Sequence, residues 1–383
     1  MKILHLMLSC FYIDDASYQE NILPQINKRD GHEVEIIASI EVFVRNNTLG
    51  LTQPRQYVNA DNIKVTRLPY INILGSFVSR KIRAYPKLYE KIETFAPDVI
   101  FFHGAAAWAI NTVAKYKKNH SYVKLYVDSH EDKNNSARNI LSRILLYDCF
   151  YGPILRKNMK HIDKLFYITK ETYNFIKETY RIKDKKLHFL PLGGIIPDTE
   201  SRSQTRNLLR KKYGISNNNV LCIHSGKIDK QKRTFEIIEG FSQYKSNKFK
   251  LLIIGSASEN TQHILKEVHQ KDNRIEFLGW KKQEELQNFL MAADLYIQLG
   301  TQSVTMQQAM CNGCAVAVYP YESHTFLLGD NAYYIQSSED ITNTLKRIDN
   351  NIEEFNTKRE KSFNFAKKTL DYNVIARKFT KNN

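Results

Sequence analysis

The sequence predicts an α/β protein made of doubly wound parallel sheets in two domains. Three observations predict it. Short apolar runs alternate with helix-period stretches along most of the chain. The alternation stops and restarts near residue 195. The length of 383 residues suggests more than one hydrophobic core.

In order, 2–9 reads as a strand, 18–28 as a helix ended by Asp30-Gly31, and 33–39 as the second strand. A third strand is expected at 65–68. Residues 76–94 carry Phe77, Ile82, Tyr85, Leu88 and Ile92 at helical spacing. Strand 99–102, helix 104–118 and strand 124–128 follow. Residues 136–159 form a long helical pattern with a break expected at Gly152-Pro153. Strand 164–168, helix 170–179 and strand 187–191 complete the first domain, 1–195. Gly193, Gly194 and Pro197 mark the boundary, and a polar, strand-poor segment runs to about residue 219. The second domain, 196–360, repeats the alternation with strands at 220–224, 250–254, 275–278, 295–299, 314–319 and 332–335. Its helices are expected at 234–244, 260–269, 283–292 and 304–310, and the tail from 341 is largely helical. Strands alternating with helices argue for parallel sheets covered on both faces, with the two domains meeting across a cleft.

Composition narrows the class. Hydrophobic content of 42% with 25% charged residues is ordinary for a globular chain. No apolar run reaches spanning length, and MKILHLMLSCFYIDD reads as a buried strand rather than a signal peptide. Five scattered cysteines fit a reducing cytoplasm. Cys311 and Cys314 form a lone C-x-x-C with no second ligand pair, so packing is the reading for both. The net charge of +16 asks for an anionic partner: nucleic acid, a membrane surface or a phosphorylated substrate. The chain has no zinc-finger, RNP-like or basic-zipper pattern, which argues against nucleic acid.

The chemistry concentrates in two stretches. Residues 294–320, DLYIQLGTQSVTMQQAMCNGCAVAVYP, read as strand, tight loop, short helix and strand, an arrangement whose loop N–H groups and helix N-terminus suit a phosphate. A purely structural βαβ unit is the alternative. The second stretch is Ser225-Gly226-Lys227-Ile228-Asp229-Lys230-Gln231-Lys232-Arg233, directly after a strand. Gly226 allows backbone approach to a ligand, and Lys227 and Lys232 supply cations at the same sheet edge. A solvated basic loop is the bland alternative.

These residues carry a resemblance. Gly226–Lys232 (GKIDKQK), 275–280 (IEFLGW), 292–297 (AADLYI) and 308–317 (QAMCNGCAVA) resemble the donor domain of glycosyltransferases of the GT-B fold, family 4 type. The resemblance implies two Rossmann-like domains, the first binding the acceptor, with a tail over 361–383 returning to it. It implies that Lys227 and Lys232 bind the donor diphosphate and that Gly279 and Trp280 hold the base, largely through backbone. The family's paired glutamates fall on Gly300 and Gln308, neither of which is Glu. Gln308 can still hydrogen-bond a ribose diol, while a helix-surface amide is its plain alternative. Gln302, Ser303 and Val304 are candidates for sugar or phosphate contact in the departed loop.

The first half is similar to the family's acceptor domain. Tyr18-Gln19-Glu20-Asn21 before Gly31-His32-Glu33-Val34 matches one subgroup, and so does Asp128-Ser129-His130-Glu131-Asp132 followed by Asn134-Asn135-Ser136. The resemblance places His130 beside the donor sugar as a catalytic candidate, with His103, Asp128 and Asn135 on the acceptor side. A satisfied loop histidine is the alternative for His130. Asp128, Glu131 and Asp132 also admit a metal-cluster reading. The family stabilises its leaving diphosphate with cationic side chains, so no cofactor and no essential metal are expected. The reaction implied is retaining transfer of a hexose or N-acetylhexosamine from a nucleotide sugar to an acceptor hydroxyl. Arg138–His161 and residues 76–91 mix apolar side chains with Arg143, Arg156, Lys157 and Lys160. Such stretches suit an anionic inner leaflet, a polyprenyl-diphosphate-linked acceptor and a role in surface polysaccharide assembly. Core helices with solvated basic faces are the alternative. An epimerase or phosphorylase on the same fold, or a non-catalytic subunit, are the other readings.

Overall fold

The computed structural model describes residues 1–44, 48–137 and 139–380. The chain divides into two compact units, one of Met1–Pro191 with Ile375–Asn383 and one of Leu192–Val374.

The first unit runs β1 (Lys2–Met7), α1 (Gln19–Arg29), β2 (Glu33–Ser39), β3 (Glu41–Phe43), β4 (Leu49–Leu51), β5 (Arg55–Val58), β6 (Lys64–Leu68), α2 (Ser76–Ile82), α3 (Leu88–Phe95), β7 (Val99–Phe102), α4 (Ala109–Asn119) and β8 (Lys124–Ser129). It continues through α5 (Ile140–Ser142), a π-helical stretch Arg143–Tyr151, α6 (Gly152–Asn158), β9 (Lys164–Tyr167), α7 (Lys170–Phe175), a second π-helical stretch Ile176–Tyr180, and β10 (Leu187–Phe189). The sheet order is β10-β9-β8-β7-β1-β2-β6-β5, and only β5 is antiparallel to its neighbour. Central strands read as unbroken apolar runs because both faces are covered: Leu4, Phe102 and Val127 on one face and Ile3, Phe101 and Tyr126 on the other are all buried. The order reverses between β1 and β7. The loops after these two strands therefore diverge and leave a crevice at the carboxyl edge.

Two expectations fail here for visible reasons. Residues 76–94 are not one helix. Arg83 and Lys87 take left-handed conformations, and Pro86 disfavours helix at the residue before it, so α2 and α3 are separate. Conversely, nothing breaks at Gly152-Pro153. Gly152 is helical at φ −58° and its N–H donates to Tyr147 O, and Pro153 follows where the π stretch passes without a break into α6. A Cβ on Gly152 would stand 2.8 Å from the Tyr147 carbonyl oxygen, so the glycine lets the π turn close.

The second unit runs α8 (Thr199–Lys212), β11 (Val220–Ser225), α9 (Thr234–Gln243), β12 (Phe249–Ile254), α10 (Glu259–Lys271), β13 (Ile275–Phe277), α11 (Gln283–Ala292), β14 (Leu295–Gln298), α12 (Thr305–Cys311), β15 (Ala315–Val318), α13 (Glu322–Leu328), β16 (Tyr333–Tyr334), α14 (Ser338–Asn350), α15 (Ile352–Thr369) and α16 (Tyr372–Ala376), whose last residues pass into the first unit. The order is β13-β12-β11-β14-β15-β16, parallel throughout, reversing between β11 and β14.

The strand-poor segment before residue 219 is the helix α8, capped by the Asp198 side chain accepting from Ser201 N–H. It faces inward with arginines. Arg206 and Arg210 both reach the buried carboxylate of Asp294, at 2.6 and 2.9 Å, and Arg359 of α15 approaches it at 3.3 Å. Asp294 also accepts from Leu221 N–H at 2.9 Å, so one carboxylate ties α8 and α15 to the starts of β11 and β14. Cys311 and Cys314 are fully buried free thiols, with burial pushing Cys314 up to about 12. The tail was expected from residue 361; α15 instead stays with the second unit, and the chain joins the first unit only at Ile375. There Phe379 stacks on Phe101 with ring centroids 4.7 Å apart.

Candidate functional site

In the second unit, the reversal between β11 and β14 puts two loops side by side: 226–233 after β11 and 299–303 after β14. Their backbones touch. Thr301 N–H donates to Gln231 O at 3.0 Å, and a Cβ on Gly300 would stand 2.2 Å from that same oxygen. No side chain fits at 300, which is a physical reason for a glycine where the resemblance puts a glutamate. Asp229 accepts from Gln231 and Lys232 N–H and winds the loop into a 3₁₀ turn. Lys232 Nζ then donates to Thr301 O at 2.8 Å and Gln302 O at 3.3 Å. Burial lowers the affinity of this amine for its proton, offset in part by Asp229. Lys227 is exposed and makes no hydrogen bond or ion pair among the described residues.

The strand ends supply a flat floor. Gly226 N–H donates to Ile254 O, and Gly255 N–H donates to Gly279 O at 2.9 Å, so three adjacent strands end in glycines held edge to edge. A Cβ on Gly255 would meet the Gly226 carbonyl oxygen at 1.7 Å. Gly255 was missed in the sequence; its signal is a glycine directly after a buried strand, as at Gly226. Beneath the floor, burial lowers His224 to about 4 and keeps it neutral. Its Nδ1–H donates to Ile297 O, and its Nε2 accepts from the Thr234 hydroxyl.

The remaining donor-side candidates divide. Gln302, Ser303 and Val304 stand on the loop that Lys232 holds. The Ser303 hydroxyl is engaged with Thr305, donating to its Oγ1 and accepting from its N–H. Gln308 is buried on α12, and its Oε1 accepts from Gln283 Nε2 at 3.1 Å, which ties it to the start of α11. Gly279 has a left-handed φ of 71° and turns the chain so that Trp280 points out, 67% exposed.

In the first unit, the residues at the β1–β7 crevice form one connected line. His5 Nε2 lies 3.0 Å from Asn27 Oδ1, and its Nδ1 lies 3.0 Å from His103 Nε2. His103 Nδ1 is 3.0 Å from Asp128 Oδ2, Gly104 N–H donates to Asp128 Oδ1 at 2.6 Å, and His130 Nε2 stands 3.5 Å from Asp128 Oδ2. His103 and Asp128 are wholly buried, and the Asp128 carboxylate faces His103, Gly104 N–H and His130. Asn135 is likewise committed, donating to His130 O and accepting from Asp132 N–H, so it shapes the loop. Asp132 caps Asn134 and Asn135 N–H, and the Ser129 hydroxyl donates to Glu131. Among the described residues no three His, Cys, Asp or Glu side chains are grouped to hold a metal ion.

Burial by itself would drive the proton off His130. The Asp128 carboxylate, with Glu20 and Glu131, outweighs burial and raises it to about 10. Burial and the charge of His103 lower His5 to about 3. Neither ring should titrate between pH 5.5 and 8.5 in a proton NMR titration; a midpoint near 6.5 for either would break the line described. The sign follows. A raised His130 adds stability that is complete below its ordinary value of about 6.5 and is lost as pH rises through about 10.

Comparison with known proteins agrees with this geometry. Residues 205–369 match the family model for glycosyl transferases group 1. That match falls within the second unit and makes it similar to a group 1 glycosyltransferase domain. Around it, the chain is 24% identical over 385 residues to glycosyltransferase MJ1069 of Methanocaldococcus jannaschii, covering 92% of this chain and 96% of that one. Anabaena Alr3699/HepE, solved in complex with UDP, superposes with a TM-score of 0.67 at 16% identity, over 99% and 98% of the two chains. WaaG, a glycosyltransferase involved in lipopolysaccharide biosynthesis, gives 0.61 at 14%, over 99% and 100%. The whole chain thus has the GT-B fold, and the segment that matches the family model carries the Gly226–Lys232 loop on its parallel sheet.

Proposed function

We propose that the protein is a retaining glycosyltransferase, moving a hexose or N-acetylhexosamine from a nucleotide diphosphate sugar to a hydroxyl of a saccharide acceptor. The observation that carries the reading is the meeting of the two loops at the strand-order reversal of the group 1 domain. Lys232 is fixed there over the 301–302 backbone, with the unengaged Lys227 at the end of the same strand. As the bond from the anomeric carbon to the diphosphate breaks, negative charge grows on the leaving oxygens. Fixed cations in a partly desolvated site stabilise that charge without reorganising. The carboxylate on the 226–233 loop, Asp229, is occupied with backbone N–H groups, so it is no free base. The leaving phosphate would take the acceptor proton on the same face, which retains configuration. The lysines supply the charge stabilisation, and no essential metal is proposed. In the first unit His130, held as a cation by Asp128, would bond a sugar hydroxyl.

The test is calorimetry against UDP, GDP, ADP and their hexose conjugates, with and without magnesium. UDP comes first because the HepE structure holds it. One nucleotide should bind at micromolar strength and be lost in Lys227→Ala. Absence of binding by all of them to folded protein would sink the transferase reading in favour of a non-catalytic subunit.

The acceptor side fits a lipid-linked saccharide of surface polysaccharide assembly. Leu74 and Phe77 beside α2 are 89% and 75% exposed, and Ile140 and Leu141 on α5 are 78% and 68% exposed. The Tyr151 hydroxyl donates to Lys81 O and ties the two elements together, and Lys81 and Arg143 are exposed among these apolar side chains. Arg138 lies outside the described residues. Among the described residues no helix is long and apolar enough to cross a membrane. An apolar patch rimmed by cations suits an anionic interface. The protein should sediment with phosphatidylglycerol vesicles at low salt, and Phe77→Ser with Leu141→Ser should weaken that roughly 10-fold or more. Equal recovery with and without vesicles would remove the membrane from the proposal.

A further inference from the structure

At the β1–β7 reversal, where the line ending in His130 lies, the first unit holds a cation that the reading above leaves unassigned. Arg83 ends α2 in a left-handed conformation, φ 56°. Its Nη1 donates to Ser9 Oγ at 3.2 Å and to Ala106 O at 2.8 Å, which fixes the guanidinium across the loops after β1 and β7, at the reversal of the sheet. Among the described residues it forms no ion pair, and its Nε and Nη2 have no hydrogen-bond partner. A guanidinium with one edge satisfied keeps a planar two-donor fork for an incoming oxyanion.

The surroundings are tyrosines delivered by the two π-helical stretches. Arg143–Tyr151 supplies Tyr147 and Tyr151, and Ile176–Tyr180 supplies Tyr180. Tyr147 lies 5.4 Å from Tyr151 and 6.3 Å from Tyr180, ring to ring. The charges of Arg83 and Glu131 act on all three phenols. The Tyr180 hydroxyl is wholly buried and has no hydrogen-bond partner. A buried hydroxyl without a partner costs about 1–3 kcal/mol unless something binds it. π turns are uncommon and recur where a side chain must be placed for function. The path to His130 is short. A Cβ on Gly104 would touch Ser9 Oγ at 2.8 Å, Gly104 N–H holds Asp128, and Asp128 holds His130.

We propose that Arg83, with the half-buried Tyr147, forms a subsite for an oxyanion carried by the saccharide acceptor, a sugar carboxylate or a sugar phosphate, at the same sheet reversal as His130. The proposal rests on the transferase reading for the word acceptor, but the subsite is testable without it. The guanidinium fork would take two oxygens of the anion, and Tyr147 would offer its ring to the sugar's C–H groups.

The experiment titrates wild type and Arg83→Met with glucose 1-phosphate, glucuronic acid and glucose by calorimetry, with UDP binding measured on the same samples. Wild type should bind one of the two anionic sugars at least 10-fold more tightly than glucose. That preference should vanish in Arg83→Met, with UDP affinity unchanged. Which anionic sugar wins separates phosphate from carboxylate. Equal binding of all three sugars by wild type, or a preference that survives in Arg83→Met, overturns the proposal. Should Arg83→Met not fold, Arg83→Lys is read in its place, since it keeps the charge and loses the fork. A several-fold drop in preference there supports the subsite, and an unchanged preference overturns it. Loss of all nucleotide binding would topple the transferase reading and leave the sugar comparison to decide the subsite.

Discussion

Lys232→Ala is expected to lower turnover by about 10²- to 10³-fold while the melting temperature stays within about 2 °C. The asymmetry follows from where the amine sits. It bonds only carbonyls of the 301–302 loop, and no carboxylate depends on it for charge balance. Removing it exposes two backbone acceptors near the surface to water, which is cheap. It also deletes a cation that the departing diphosphate would otherwise meet already in place. Turnover measured with saturating nucleotide sugar, beside a thermal melt, checks both halves. An active variant would mean that Lys227 alone carries the leaving group. An inactive and unfolded one would mean that the amine holds the two loops together.

Asp294→Asn is expected to cost about 3–5 kcal/mol, seen as a melting temperature lower by roughly 10 °C. Arg206, Arg210 and Arg359 converge on this carboxylate, and it accepts from the start of β11 as well. With an amide there, three guanidiniums face one another with no counter-charge. Burial would push the Asp294 carboxyl up, but Arg359, Arg206, Arg210 and the Leu221 N–H outweigh it and hold it below its usual range. The pH dependence has one sign: the contribution is complete above the ordinary carboxylate value of about 4 and is lost as pH falls through the lower folded value. The gap between wild type and variant should therefore be full at pH 7 and narrow below about pH 4. A variant melting within 2 °C of wild type at neutral pH would show that the arginines are satisfied by the carbonyls of Ala292, Ala293 and Gly313.

Elements that bury apolar side chains at a clean period were legible. Strand 33–39 and helix 283–292 coincide with β2 and α11, and the two glycine-ended loops at the sheet edges stood out. What stayed hidden is physically specific. α8 buries arginines rather than leucines, so its inner face looked like solvent-facing sequence. The split of 76–94 depends on left-handed residues that are arginine and lysine, not glycine. Residues 143–151 were read within the helical pattern 136–159, but a 3.6-residue period could not show that their turns are π. At the candidate site, Lys227, Lys232 and His130 announced themselves as charged residues next to strand ends. Gly255 and Arg83 did not, because their importance comes from what stands opposite: the Gly226 carbonyl in one case, Ser9 and Ala106 in the other. His103 and Asp128 were noticed, but sequence could not show that both are wholly buried.

The stacking of Phe379 on Phe101 has a consequence for how the protein is made. Phe101 belongs to a strand at the centre of the first sheet, and its partner follows the whole second unit along the chain. The unit synthesised first is thus finished last. Its interior stays open at Phe101 while the whole second unit is translated, and it closes only once the residues beyond Ile375 have emerged. A stalled nascent chain ending before Ile375 should display the second unit already protease-resistant and the first still cleavable.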